Sequence, residues 1–193
     1  MNKRNRTRYS PVSCHDGFTL LEVLVALIVL SVGLLSLAGM QVIGLRTNHS
    51  AYMRTQATIQ SYDIVDRMRA NIVGVREGRY DKPAVNDSKG ILHANCKTTS
   101  GCSGGQSQKA QEMAEHDLFE WNQAITDVLP SGVGVVCIDS TPEDGTPDAA
   151  TASAPACDGI GSANPEMAMY TIKIWWTDDQ SANPQRFTTS FRP

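Results

Sequence analysis

The chain has 193 residues, a formal net charge of −3 and 41% hydrophobic side chains. That length holds one compact domain plus an anchor, with little room for a second domain. Lys3, Arg4, Arg6 and Arg8 face only Asp16 in the first 17 residues, so the remainder is more acidic than the whole and lacks the Lys/Arg surplus of a general nucleic-acid surface.

The basic leader, residues 1–17, runs into Gly17–Val29, GFTLLEVLVALIV, where Glu22 is the sole charge. The next charge is Arg46. Val23–Leu45, 23 uncharged residues, spans roughly 35 Å as a helix, enough for a hydrocarbon core of about 30 Å. A secretory signal peptide has a shorter apolar region with a small-residue cleavage site behind it, whereas here the Gly-Phe junction lies in front. The leader is expected to stay in the cytoplasm, residues 18–45 to span the membrane once, and residues 46–193 to form a domain on the far side. A carboxylate placed where Glu22 sits is costly in lipid, which marks it as a candidate functional residue, the alternative being that it snorkels to the cytoplasmic headgroups.

The helix is expected to continue from Phe18 to about Asn71, since Arg46–Asn71 contains no proline or glycine. Tyr52, Ile59, Tyr62, Val65, Met68 and Ile72 recur at helical spacings and predict the face that packs into the domain. Gly33, Gly39 and Gly44 are the weak points of the membrane half, and their spacing does not match a small-xxx-small seam. Gly74 to about Gln106 reads as loop. A second helix is predicted from about Gln108 to Val128, with Ala110, Met113, Ala114, Leu118, Trp121, Ile125 and Val128 on one face and Leu129-Pro130-Ser131-Gly132 as its stop. Strands are expected at Val133–Asp139, Tyr170–Thr177 and Arg186–Phe191. In the second of these, Tyr170, Ile172, Ile174 and Trp176 share one face and Thr171, Lys173 and Trp175 the other. The fold class is therefore α+β, a long N-terminal membrane-spanning helix packed on a small antiparallel sheet with a second helix.

Cys14 lies in the leader, and Cys96, Cys102, Cys137 and Cys157 lie beyond the span. Four cysteines in an oxidising compartment pair in one of three ways, and nearest-neighbour bridges, Cys96–Cys102 and Cys137–Cys157, are the favoured pairing. A metal site with His93 or His116 is the rival, but neither cysteine pair has zinc-type C-x-x-C spacing, and no metal is expected. Asp139, Glu143, Asp144, Asp148 and Asp158 lack EF-hand spacing and read as a solvated loop. No G-x-S-x-G, H-E-x-x-H or phosphate-cradling loop is present, the Gly132–Gly134 G-x-G lacks a following helix, and His116-Asp117 is no stronger a signal. The chain is expected to be no enzyme and to need no cofactor.

Gly17-Phe18-Thr19-Leu20-Leu21-Glu22-Val23 behind a short basic leader resembles the class III signal of type IV pilins and pseudopilins. The resemblance implies that a prepilin peptidase cuts between Gly17 and Phe18 on the cytoplasmic face and methylates the new amino group of Phe18. It also implies that Glu22 attracts the terminal amine of a neighbouring subunit during assembly. The run LLEVLVALIVLSVGLLSLAGMQ, Asp66–Asn71, Asp117-Leu118 with Trp121, Leu129–Gly134 and Ile172–Trp176 resemble PilV-type minor pilins. That resemblance implies a priming or tip complex that starts type IV pilus assembly with other minor pilins and pilus subunits, an adhesin associated. The location implied is the bacterial inner membrane with a periplasmic domain, and the pilus tip after assembly. A second helix and disulfide loop between helix and sheet depart from the pattern. So does Gly39, near the place where many major pilins carry a helix-breaking proline; the helix is expected to loosen there on assembly. The alternatives are a minor pseudopilin of a type II secretion system, a DNA-uptake pilin, which the acidic domain disfavours, and a membrane-anchored periplasmic enzyme.

Overall fold

The computed structural model describes residues 17–98, 101–143, 155–178 and 184–193. The leader up to Asp16, with Cys14, and the acids Asp144 and Asp148 lie outside the described residues. The elements are α1 (Leu20–Ala70), α2 (Ile72–Arg76), α3 (Val85–Ser88), a 3-10 turn (Ala94–Lys97), α4 (Gln106–Val128), β1 (Val133–Ile138), β2 (Tyr170–Trp176) and β3 (Gln185–Phe191). The fold is α+β: a long, N-terminally apolar helix, a three-stranded antiparallel sheet in the order β1-β2-β3, and further helices. By their contacts the residues divide into two units, one up to Leu45 and one from Arg46 onward.

Within the first unit the chain is helical from Leu20 and runs through Gly33, Gly39 and Gly44 without interruption. Every described side chain up to Leu45 is exposed, so the fold itself covers none of this apolar surface.

In the second unit the buried face of α1 is not the predicted stripe. It consists of Met53, Ala57, Ser61, Ile64, Val65 and Met68. Of the predicted residues only Val65 and Met68 are in the core; Tyr52, Ile59 and Tyr62 are 54%, 52% and 68% exposed, and Ile72 opens α2. The reason is close approach. Ala57 and Ser61 are small, and the Ser61 hydroxyl donates to the Ala57 carbonyl one turn back (2.9 Å), so it can be buried without an outside partner. The largest apolar residues of this half-helix are left facing outward.

The segment expected to be loop carries α2, α3 and the 3-10 turn. The Asn71 side chain accepts from the Gly74 N–H (3.2 Å) and starts α2. Gly90, at φ +64°, passes so close to α4 that a Cβ there would lie 2.2 Å from the Glu115 carbonyl, and Ile91 N–H donates to that same oxygen (3.0 Å).

Trp121 joins α4 to both neighbours. Fully buried, it donates its indole N–H to the Gln60 carbonyl of α1 (2.8 Å) and lies over Gly134 of β1. A Cβ on Gly134 would sit 2.4 Å from the Trp121 ring and 2.6 Å from Ile125. We expect Gly134→Val to cost about 2–3 kcal/mol by overpacking, read by denaturant unfolding with tryptophan fluorescence. A loss below about 0.5 kcal/mol, the level of an ordinary surface change, would remove this contact from the account.

The inward face of β2 (Tyr170, Ile172, Ile174, Trp176) packs with α1 and α4 in the main core. Its other face is covered too: Thr171, Lys173 and Trp175 are all fully buried. The cover is the segment from Pro155 to Ile160. It is tied down by the Cys137–Cys157 disulfide, by Lys173 Nζ donating to the Pro155 (2.7 Å) and Ala156 (3.3 Å) carbonyls, and by Gly159 N–H donating to Ile138 (3.1 Å). Asp139 is therefore not a solvated loop acid. It is fully buried with its carboxylate 2.6 Å from Lys173 Nζ, because a lysine on the covered face of β2 needs a counter-charge. The second disulfide is Cys96–Cys102, so the bridges join nearest neighbours.

Candidate functional site

The sequence points to Gly17, Phe18 and Glu22, and all three lie among the described residues. Residues 17–19 are not helical, and α1 begins at Leu20 rather than at Phe18. Thr19 sets that start: its side-chain oxygen accepts the Glu22 N–H (3.3 Å), while its carbonyl accepts from Glu22 (3.1 Å) and Val23 (3.3 Å). The capping threonine was not singled out from sequence, although Thr19-x-x-Glu22 has capping-box spacing and could have revealed it. Glu22 thus sits in the first turn, where the free N–H groups of the helix favour a negative charge.

Gly17 has no steric duty in this fold. Its φ lies outside the left-handed region, and a Cβ there would meet nothing within 4 Å. Phe18 is likewise exposed.

Residues 13–38 match the family described as "Prokaryotic N-terminal methylation motif". This segment is a type IV prepilin signal. Such a signal implies processing by prepilin peptidase and pilus-type assembly, which suits a structural subunit better than an enzyme. Among the described residues one helix, α1, is long and apolar enough to cross a membrane, as a membrane-anchored pilin-like protein requires. No curated protein and no solved structure matches the chain.

A second cluster of polar groups lies between α1 and α4, where the prepilin signal does not reach. Arg67 Nε meets Asp63 at 2.8 Å, and its Nη1 meets Glu120 at 3.0 Å and Asp117 at 3.5 Å. Tyr80 donates its hydroxyl to Asp117 Oδ2 (2.5 Å) and accepts from Asn71 (3.2 Å). Burial pushes the Asp117 carboxyl above the usual carboxylate range, against the pull of Tyr80 and Arg67, and burial with the adjacent Asp117 charge raises the Tyr80 phenol. Glu120 also pairs with Lys97, whose hydrogen bond is the main reason its carboxyl is held low. His116 Nδ1 accepts from the His93 N–H (3.3 Å) and its Nε2 faces Glu120 (3.5 Å), while Asp117 is engaged elsewhere, so these neighbours in sequence do not form a relay. The cluster links α1, Tyr80, the 3-10 turn and α4, and its members satisfy one another.

Asp158 has a turn-closing role: its carboxylate accepts from the Ser140 N–H (3.1 Å), the Ser140 hydroxyl and the Ile160 N–H (2.8 Å), and the Ser140 bonds hold its pKa down.

Proposed function

We propose that this chain is a minor pilin, cleaved between Gly17 and Phe18, methylated on the Phe18 amine, and incorporated by helix–helix contact into a type IV pilus. The prepilin signal carries the reading. Two features of α1 support it. Glu22 stands exposed in the first turn, available to a positive group on another subunit. Farther along, Tyr52, Ile59 and Tyr62 form an outward face at near-heptad spacing that the domain leaves uncovered. The finer role is initiation of assembly within a minor-pilin priming complex, with a tip adhesin as a further partner, as in PilV-type minor pilins. The acidic domain, on the far side of the membrane from the leader, favours protein partners over nucleic acid.

Replacing Glu22 with alanine should leave insertion intact and abolish incorporation, because a carboxylate–amine contact between subunits in a low-dielectric setting is lost. Sheared-pilus fractions and membrane fractions probed for the chain read both arms; wild-type recovery in pili would refute the docking role. The system is identified by co-purification of the full-length chain from membranes. Recovery with minor pilins supports the reading, and recovery with secretion pseudopilins replaces it with the type II system.

A further inference from the structure

The two edges of the sheet are treated differently by the chain. On β1 four outward backbone groups already have partners. Gly134 N–H donates to the Asn122 side chain (3.1 Å), Ile138 N–H to Asp81 (2.9 Å), and the Val136 and Ile138 carbonyls accept from Lys82 (2.9 Å) and Gly159 (3.1 Å). Because Gly134, Val136 and Ile138 spend their groups outward, the antiparallel register turns Tyr170, Ile172 and Ile174 toward β3. Phe187, Thr189 and Phe191 then face β2, and Thr188 and Ser190 face away from the sheet. Among the described residues no backbone group bonds to Thr188 or Ser190 on that side. Proteins usually blunt such an edge with a lysine, a proline or a bulge. Gln185–Phe191 carries none of these; its one charge, Arg186, lies near its start, and Thr188–Phe191 has no charge.

Beside this edge lies a groove of about 290 Å³ between β3 and α1, lined by Tyr62, Val65, Phe187, Phe191 and Arg69, whose guanidinium also meets Asp66 (3.3 Å). We propose that the β3 edge is a docking site for an extended strand of a different polypeptide. The partner strand carries apolar residues at alternate positions to fill the groove and an acidic residue to meet Arg69. The unspent N–H and C=O groups, spaced two residues apart, select a β-strand because only another extended backbone matches that repeat. In the register that sets Thr188 of one chain opposite Ser190 of the other, antiparallel self-pairing of β3 would bring Arg186 and Arg192 together at each end, so charge disfavours that pairing with a second copy. This groove shares Tyr62 with the outward α1 face proposed above for filament assembly.

The test is residue-resolved amide exchange on the full-length chain in detergent micelles. The probe is a short synthetic strand alternating valine and threonine with one glutamate, and its control has N-methyl groups along the pairing edge. The probe should slow exchange at Thr188 and Ser190 by about tenfold or more, leaving Phe187 and Thr189 unchanged, and the N-methylated strand should have no effect. Ser190→Pro, which removes an outward N–H and keeps the β2 ladder, should abolish the protection. If that variant does not fold, the N-methylated control still decides. No slowing up to the solubility of the probe overturns the proposal, as does equal protection by both strands. Protection that grows with protein concentration alone overturns it in favour of a second copy.

Discussion

Gly17→Trp should accumulate as uncleaved, full-length chain in the membrane, with no mature form detectable. The expected effect is nearly all-or-none because the fold sets no limit on this position. A Cβ at residue 17 has open space around it, and residues 17–19 precede the helix that Thr19 caps. Any loss of maturation therefore reports on recognition by the peptidase and not on misfolding. Mass spectrometry of the membrane-extracted protein reads it directly, since the processing proposed above would give a mature chain that starts at Phe18 with an added methyl group. A processed Gly17→Trp chain would remove the cleavage assignment, and with it the main support for a pilin-like role.

Lys173→Met should destabilise the domain by about 3–5 kcal/mol, because it leaves the Asp139 carboxylate buried without its counter-charge. Both groups are fully buried and 2.6 Å apart, and Lys173 also holds the Pro155 and Ala156 carbonyls over the outer face of β2. Adding Asp139→Asn should recover much of the loss: the amide keeps the oxygen that accepts from Thr141 N–H (3.1 Å) and removes the orphaned charge. Unfolding midpoints of the two variants and the parent supply the comparison. A single-variant loss under about 1 kcal/mol, typical of an exposed pair, would show that water reaches this pair.

Features that depend on local chemistry were legible in the residues. The apolar run with its single Glu22, the basic leader, the Leu129–Gly132 stop of α4 and the alternation of Tyr170–Trp176 each state their structure within a few residues. The nearest-neighbour bridges follow from short loops that keep their cysteines close. The face of α1 was misread, because periodicity ranks residues by size and hydrophobicity. Packing selected the small pair Ala57 and Ser61, which let Trp121 reach the Gln60 carbonyl, and turned Tyr52, Ile59 and Tyr62 outward. Asp139 was misread for a related reason. A carboxylate near glycines and prolines looks solvated until a lysine on a strand 34 positions later comes within 2.6 Å.

By itself the sequence determined the signal at Gly17–Glu22, the membrane-length helix and the α+β class, since each rests on neighbours along the chain or on bulk hydrophobicity. Only the tertiary structure decided which side of α1 stays exposed, that both faces of β2 are covered, and that, among the described residues, outward backbone groups of β1 are bonded while those of Thr188 and Ser190 on β3 are not. Those properties come from contacts between residues far apart in sequence, where size, counter-charge and hydrogen-bond geometry choose among arrangements that local pattern leaves equivalent.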